Sequence, residues 1–111
     1  MRTKLAPKKQ RQLFTAKVIQ LLLDAGAQQD NGEVYPLTLH TKAGRLVLHV
    51  TENMTEGLGT VFSRFDDPQA ARQLVGCNPF SGKWNFHFFN GWSVESAIEE
   101  IARQLQRVLV A

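Results

Sequence analysis

The chain has almost no cysteine, a single tyrosine, and no acid near its start. Cys77 is the only cysteine. No disulfide can form within the chain, and a lone thiol suits the reducing cytoplasm. No apolar run approaches the roughly 18 residues of a membrane span. The stretch Val18 to Leu23 is broken by Gln20 and followed by Asp24, so the basic start is not a secretory signal peptide. Internal repeats and low-complexity tracts are also missing. These absences predict a cytoplasmic protein that makes no use of a membrane.

Acid is missing from residues 1–17, which hold Arg2, Lys4, Lys8, Lys9, Arg11 and Lys17, a charge of +6. The whole chain has 13 bases and 10 acids, so the remainder has 13 − 6 = 7 bases against 10 acids, or −3. Its basic character belongs to the start of the chain. Such an arm can track phosphates or an acidic partner, and it also fits a solvated terminus. At 111 residues the chain is long enough for one domain with a core that needs no metal or disulfide. The expected organisation is a flexible arm over residues 1–7 and a single domain over 8–111.

Along the chain, Phe14, Val18, Leu21, Leu22 and Ala25 recur at helical spacing, which predicts a helix from about Lys8 to Ala25. Gly26 stops it, and Gln28 to Glu33 reads as a polar loop. Leu37 and Leu39, then Leu46, Leu48 and Val50, alternate with other residues across a Lys42-Ala-Gly44 turn. That is a hairpin with its leucines inward and His40 and His49 outward. Pro36 cannot donate to a ladder, so it marks a strand start or an edge. A third strand spans 59–65, with large apolar residues on both faces. Asp66-Asp67-Pro68 is a helix start, with an aspartate cap and proline in the first turn. That short helix runs to about Val75.

The aromatic residues are concentrated further on. Of ten Phe, Trp and Tyr, six lie between Phe80 and Trp92. Trp84, Phe86 and Phe88 alternate with Lys83, Asn85, His87 and Phe89, so a strand over 83–89 should bury the first set and expose the second. The last helix, capped by Ser93, carries a stripe from Val94 to Leu109, with Glu99 and Arg103 spaced as an ion pair. The order α-β-β-β-α-β-α predicts an α+β fold. A mainly antiparallel four-stranded sheet would carry the long N- and C-terminal helices on one face.

Several chemical motifs can be weighed. The stretch Gly76 to Trp84 departs from a phosphate loop: five residues separate its glycines, and Trp84 stands where a hydroxyl belongs. It reads instead as an ordered turn. Gly57-Leu-Gly59 precedes no helix and lacks the third glycine of a dinucleotide fingerprint. Cys77 and His87 could form a nucleophile–base pair only if folding brought them into contact. His40, His49 and His87 lack the close pairing usual among zinc ligands. Neither a metal nor another cofactor is expected.

What remains is binding. The candidate surface comprises Asn78, Ser81, Lys83, Asn85, His87, Phe89, His40, His49 and Arg64. Protein contact, including contact with a second copy, would use an apolar patch of Val47, Phe62, Phe89 and Trp92. Nucleic-acid contact would use Phe89, expected to be the one outward aromatic, with the basic arm of Arg2, Lys4, Lys8, Lys9 and Arg11.

Arg64-Phe-Asp-Asp-Pro68 together with Cys77-Asn-Pro-Phe-Ser-Gly-Lys-Trp-Asn-Phe-His87 resembles small bacterial proteins carried on plasmids, prophages and other mobile elements. The resemblance covers most of residues 12–110. It implies a bacterial cytoplasmic accessory protein and brings no activity with it. The expected function is a non-enzymatic, macromolecule-binding module that contacts protein, itself included. Nucleic-acid binding is the alternative, and an enzyme using Cys77 and His87 is a further one.

Overall fold

Leucine and valine alternation builds the centre of the molecule. A computed structural model of the chain describes residues 4–29, 33 and 35–109. Its strands are β1 (Lys4–Leu5), β2 (Gln28–Gln29), β3 (Leu37–Thr41), β4 (Gly44–Glu52), β5 (Glu56–Gly57), β6 (Gly59–Phe65) and β7 (Phe86–Phe88). Its helices are α1 (Lys8–Asp24), α2 (Pro68–Val75) and α3 (Val94–Gln106). The fold is α+β.

The four-stranded sheet expected from the sequence is in fact five-stranded and antiparallel, in the order β2-β3-β4-β6-β7. The added strand is β2, from the stretch read as a polar loop. Gln28 and Gln29 are both exposed and pair with Thr38 and Leu37. Two exposed glutamines carry no alternation, so only their backbone hydrogen bonds make them a strand. A separate parallel pair joins β1 to β5, and Ala6 N–H donates to Gly57 O at 2.9 Å. Within the segment read as a flexible arm, residues 4–6 are therefore tied to the body by backbone bonds.

One face of the large sheet is apolar. Leu37, Leu39, Leu46, Leu48, Val50, Val61 and Phe65 are all buried. On them lie Phe14, Val18 and Leu22 of α1 and Ala97, Ile101 and Leu105 of α3, within one core cluster. The Phe14 ring sits 5.5 Å from that of Phe88. Gly59 makes this approach possible, since a Cβ there would lie 2.6 Å from the Phe14 ring and 2.5 Å from Thr51 O. Burying a phenylalanine side chain contributes about 1.5–3 kcal/mol.

The helix ends follow their sequence signals. Asp67 caps α2, accepting from Ala70 N–H at 3.2 Å, with proline in the first turn and Gly76 at the far end. Ser93 and Ser96 form a reciprocal capping box at the start of α3. The ion pair on α3 is Glu100–Arg103 at 2.5 Å, rather than Glu99–Arg103.

The aromatic strand is shorter than the expected 83–89. β7 keeps three residues, and a single bridge, Lys83 to Arg64, continues its register. Between them the Asn85 side chain takes a ladder position: its Oδ1 accepts from Ser63 N–H at 3.0 Å. The Ser63 hydroxyl then turns to donate to Trp84 O. The inward set holds its place, with Trp84 and Phe88 buried and Phe86 half-buried. Trp84 meets Phe65 at 5.4 Å and Phe86 at 4.8 Å.

Candidate functional site

The same alternation that buries the leucines sends a second set of side chains to the opposite face. His40, His49, Phe62, Arg64, Lys83, His87 and Phe89 are exposed there. Register brings them together. His49 lies opposite Phe62, Val47 opposite Arg64, and Thr60 opposite His87. Arg64 in turn lies opposite Lys83. A groove of about 250 Å³ opens among Val47, His49, Phe62, Arg64, Lys83 and Asn85.

Rings border this groove on both sides. Tyr35, on the chain entering β3, stacks on His49 at 5.7 Å and 22°. His87 stacks on Phe89 at 5.4 Å and 6°, and meets the edge of Phe62 at 6.1 Å. Thr60 Oγ1 donates to Asn53 Oδ1 at 2.9 Å and lies 3.2 Å from His87 Nδ1. Thr60 thus ties the His87 ring to the Asn53 side chain.

Charge around the groove is positive. Arg45 is neutralised by Asp66 at 3.0 Å. Arg64 and Lys83 have no ion-pair partner among the described residues. The outward positions of β3, β4, β6 and β7 hold no acid. Glu95, Glu99 and Glu100 lie on α3 instead. Apart from Asp66, which pairs with Arg45 at the end of β6, no acid stands among the outward positions around the groove.

The other predicted residues fall into different roles. Asn78 Oδ1 accepts from Phe80 N–H at 2.8 Å and Ser81 N–H at 3.0 Å, and Ser81 Oγ accepts from Lys83 N–H at 3.3 Å. Both side chains order the turn. Gly82 closes that turn at φ +73°, with its Cβ position 2.4 Å from Phe65 O, so no other residue fits. His40 is exposed opposite Arg45, away from the groove residues. Lys8 and Lys9 are exposed in the first turn of α1. Arg11 is half-buried, donating to Ala6 O at 3.0 Å and pairing with Glu52 at 3.6 Å. Lys4 joins β1 through its backbone, and Arg2 lies outside the described residues.

Cys77 is buried, and its thiol lies 3.7 Å from Pro68 O. Burial pushes that thiol up from its ordinary value. His87 stands on the outer face with its Nδ1 on Thr60, so Cys77 and His87 are not in contact as a nucleophile–base pair. Among the described residues, no group of three or more His, Cys, Asp or Glu could hold a metal ion. Nor, among them, is any helix long and apolar enough to cross a membrane.

The nucleic-acid reading counts Phe89 as the one outward aromatic, and Phe62, expected in the apolar patch for protein contact, joins it. Both are 43% exposed. The pattern of β6 conceals this, because Val61, Phe62 and Phe65 put apolar groups on both faces. Val47 already belongs to the expected apolar patch, and Tyr35, stacked on His49, is the other addition. A second hollow of about 280 Å³ lies between α1 and α3, against Leu21, Ala25, Leu105 and Leu109, with Asp24 at its edge. It offers a ligand apolar contact and no cation. No family model, curated protein or solved structure matches the chain.

Proposed function

We propose that this chain is a non-enzymatic module that binds single-stranded nucleic acid across the outer face of its sheet. It would serve as an accessory protein in the bacterial cytoplasm, as the resemblance to mobile-element proteins implies. One observation carries the reading: Arg64 and Lys83 face each other without a carboxylate, beside exposed rings. Rings stack with bases of any sequence, and cations track the phosphates between them. Lys8 and Lys9 are exposed on α1, which packs on the opposite face of the sheet, and Arg11 is held by Glu52, so the phosphate contacts rest on Arg64 and Lys83.

Contact with a second copy is the rival reading, favoured by the exposure of Phe62, Phe89 and Trp92. A two-fold contact centred on the groove would press Arg64 and Lys83 against their own copies, and the nearby acid, Asp66, is already paired with Arg45. A polyanion meets no such penalty.

Fluorescence anisotropy with labelled oligonucleotides at several salt concentrations tests the choice. If Arg64 and Lys83 each neutralise one phosphate, log K should fall against log salt with a slope of about −1.4. Absence of binding at low salt, together with a concentration-dependent dimer in sedimentation, would transfer the face to protein contact.

A further inference from the structure

Asn85 sets a chemical bias on this surface. Its amide can be oriented without ambiguity, because Ser63 N–H can only donate. The atom 3.0 Å from that N–H is therefore the amide oxygen. The amide nitrogen is fixed on the other side, and it makes no hydrogen bond to another described residue; the buried unpaired side-chain atom among the described residues is Asn53 Nδ2, not this one. Asn85 is half-buried and lines the groove. Arg64 and Lys83 beside it likewise offer donors only. The polar side chains at this end of the groove thus present donors to whatever enters.

Resting on the nucleic-acid reading above, we infer that Asn85 is a specificity-determining residue that selects bases bearing a keto oxygen over bases bearing an amino group at the same position. A groove of about 250 Å³ falls below the ~300–1,000 Å³ of pockets that enclose drug-sized ligands. It suits one base lying beside Phe62, with its phosphate toward Arg64 and Lys83. Uracil and thymine present O4 as an acceptor, and cytosine presents its N4 amino group as a donor. Against a fixed amide N–H, O4 gains a hydrogen bond. The N4 amino group meets another donor and loses its water without replacement. Both pyrimidines offer similar ring area for stacking, so the comparison isolates the hydrogen bond.

The test compares labelled oligo(U) and oligo(C) on the whole chain at one low salt concentration. The wild type is expected to prefer oligo(U) by roughly two- to tenfold, the net worth of one hydrogen bond. Asn85→Asp keeps an oxygen to accept from Ser63 N–H and exchanges the donor for a second acceptor. It is expected to weaken binding to both strands and to abolish or reverse the U:C ratio, since a carboxylate accepts from cytosine N4. Replacing O4 by sulfur, a weaker acceptor, should lower wild-type affinity without altering the protein. Equal wild-type affinity for oligo(U) and oligo(C), or an unchanged ratio in Asn85→Asp, would overturn the inference and leave the nucleic-acid reading standing. Binding to neither strand would overturn both.

Discussion

Arg64 and Lys83 stand opposite one another on the outer face of the sheet, exposed and without a carboxylate between them. Like charges directly opposed across strands destabilise a sheet. The pairing is hard to explain by stability, and it forms one end of the groove.

Lys83→Glu would turn that repulsion into a cross-strand ion pair. Urea denaturation should show a gain of about 0.2–1 kcal/mol, while oligonucleotide affinity falls and its salt slope flattens. A destabilised Lys83→Glu with unchanged affinity would mean that Lys83 serves the fold and not the ligand.

Phe14 and Phe62 should separate stability from binding. Phe14 is wholly buried against Phe88, and Phe14→Ala should lose about 3–5 kcal/mol in denaturant titration. Phe62 is 43% exposed, so Phe62→Ala should lose about 1 kcal/mol or less. The same variant should weaken single-strand binding by about 1–3 kcal/mol, the worth of one stacked base.

Cys77 should behave as a core residue. Its burial and raised thiol value predict slow labelling by a disulfide reagent at pH 8, accelerated by urea. The folded value lies above the ordinary 9.0. The stability linked to the protonated thiol is therefore present below about pH 9 and lost as pH rises through the folded value. Labelling faster than that of a free thiol would revive the nucleophile reading.

Tyr35 is the only tyrosine, so an ultraviolet titration reports on it alone. Burial raises its phenol above 10.0, opposed in part by a hydrogen bond from the Val50 backbone. The ionisation midpoint should lie above 10 in the folded protein and return toward 10 in urea. Because the folded value is the higher one, this group's contribution to stability is full below about pH 10 and disappears above it. A midpoint of 10 or less when folded would contradict the half-buried stack on His49.

The leucines of β3 and β4, the aspartate–proline start of α2 and the serine cap of α3 are legible in the chain itself. Each is a local pattern: a period of two, or a capping residue at a fixed offset from the turn it serves. The inward set Trp84, Phe86 and Phe88 follows from the same period. β2 is not legible, because backbone bonds to β3 define it while its exposed glutamines carry no pattern. The shortening of β7 is hidden for a related reason: the Asn85 amide takes a ladder position, and no neighbour in sequence marks that substitution.

What the residues decide alone is therefore which side chains leave water, since burial follows local period and the hydrophobic effect needs no partner address. The tertiary structure decides which exposed groups meet. Register sets Arg64 beside Lys83, Phe62 beside His49, and the Asn85 amide on Ser63 N–H. A one-residue slip between β6 and the aromatic segment would leave the composition unchanged and exchange the faces of that segment. The binding surface depends on pairings between distant strands, and only the folded sheet makes them.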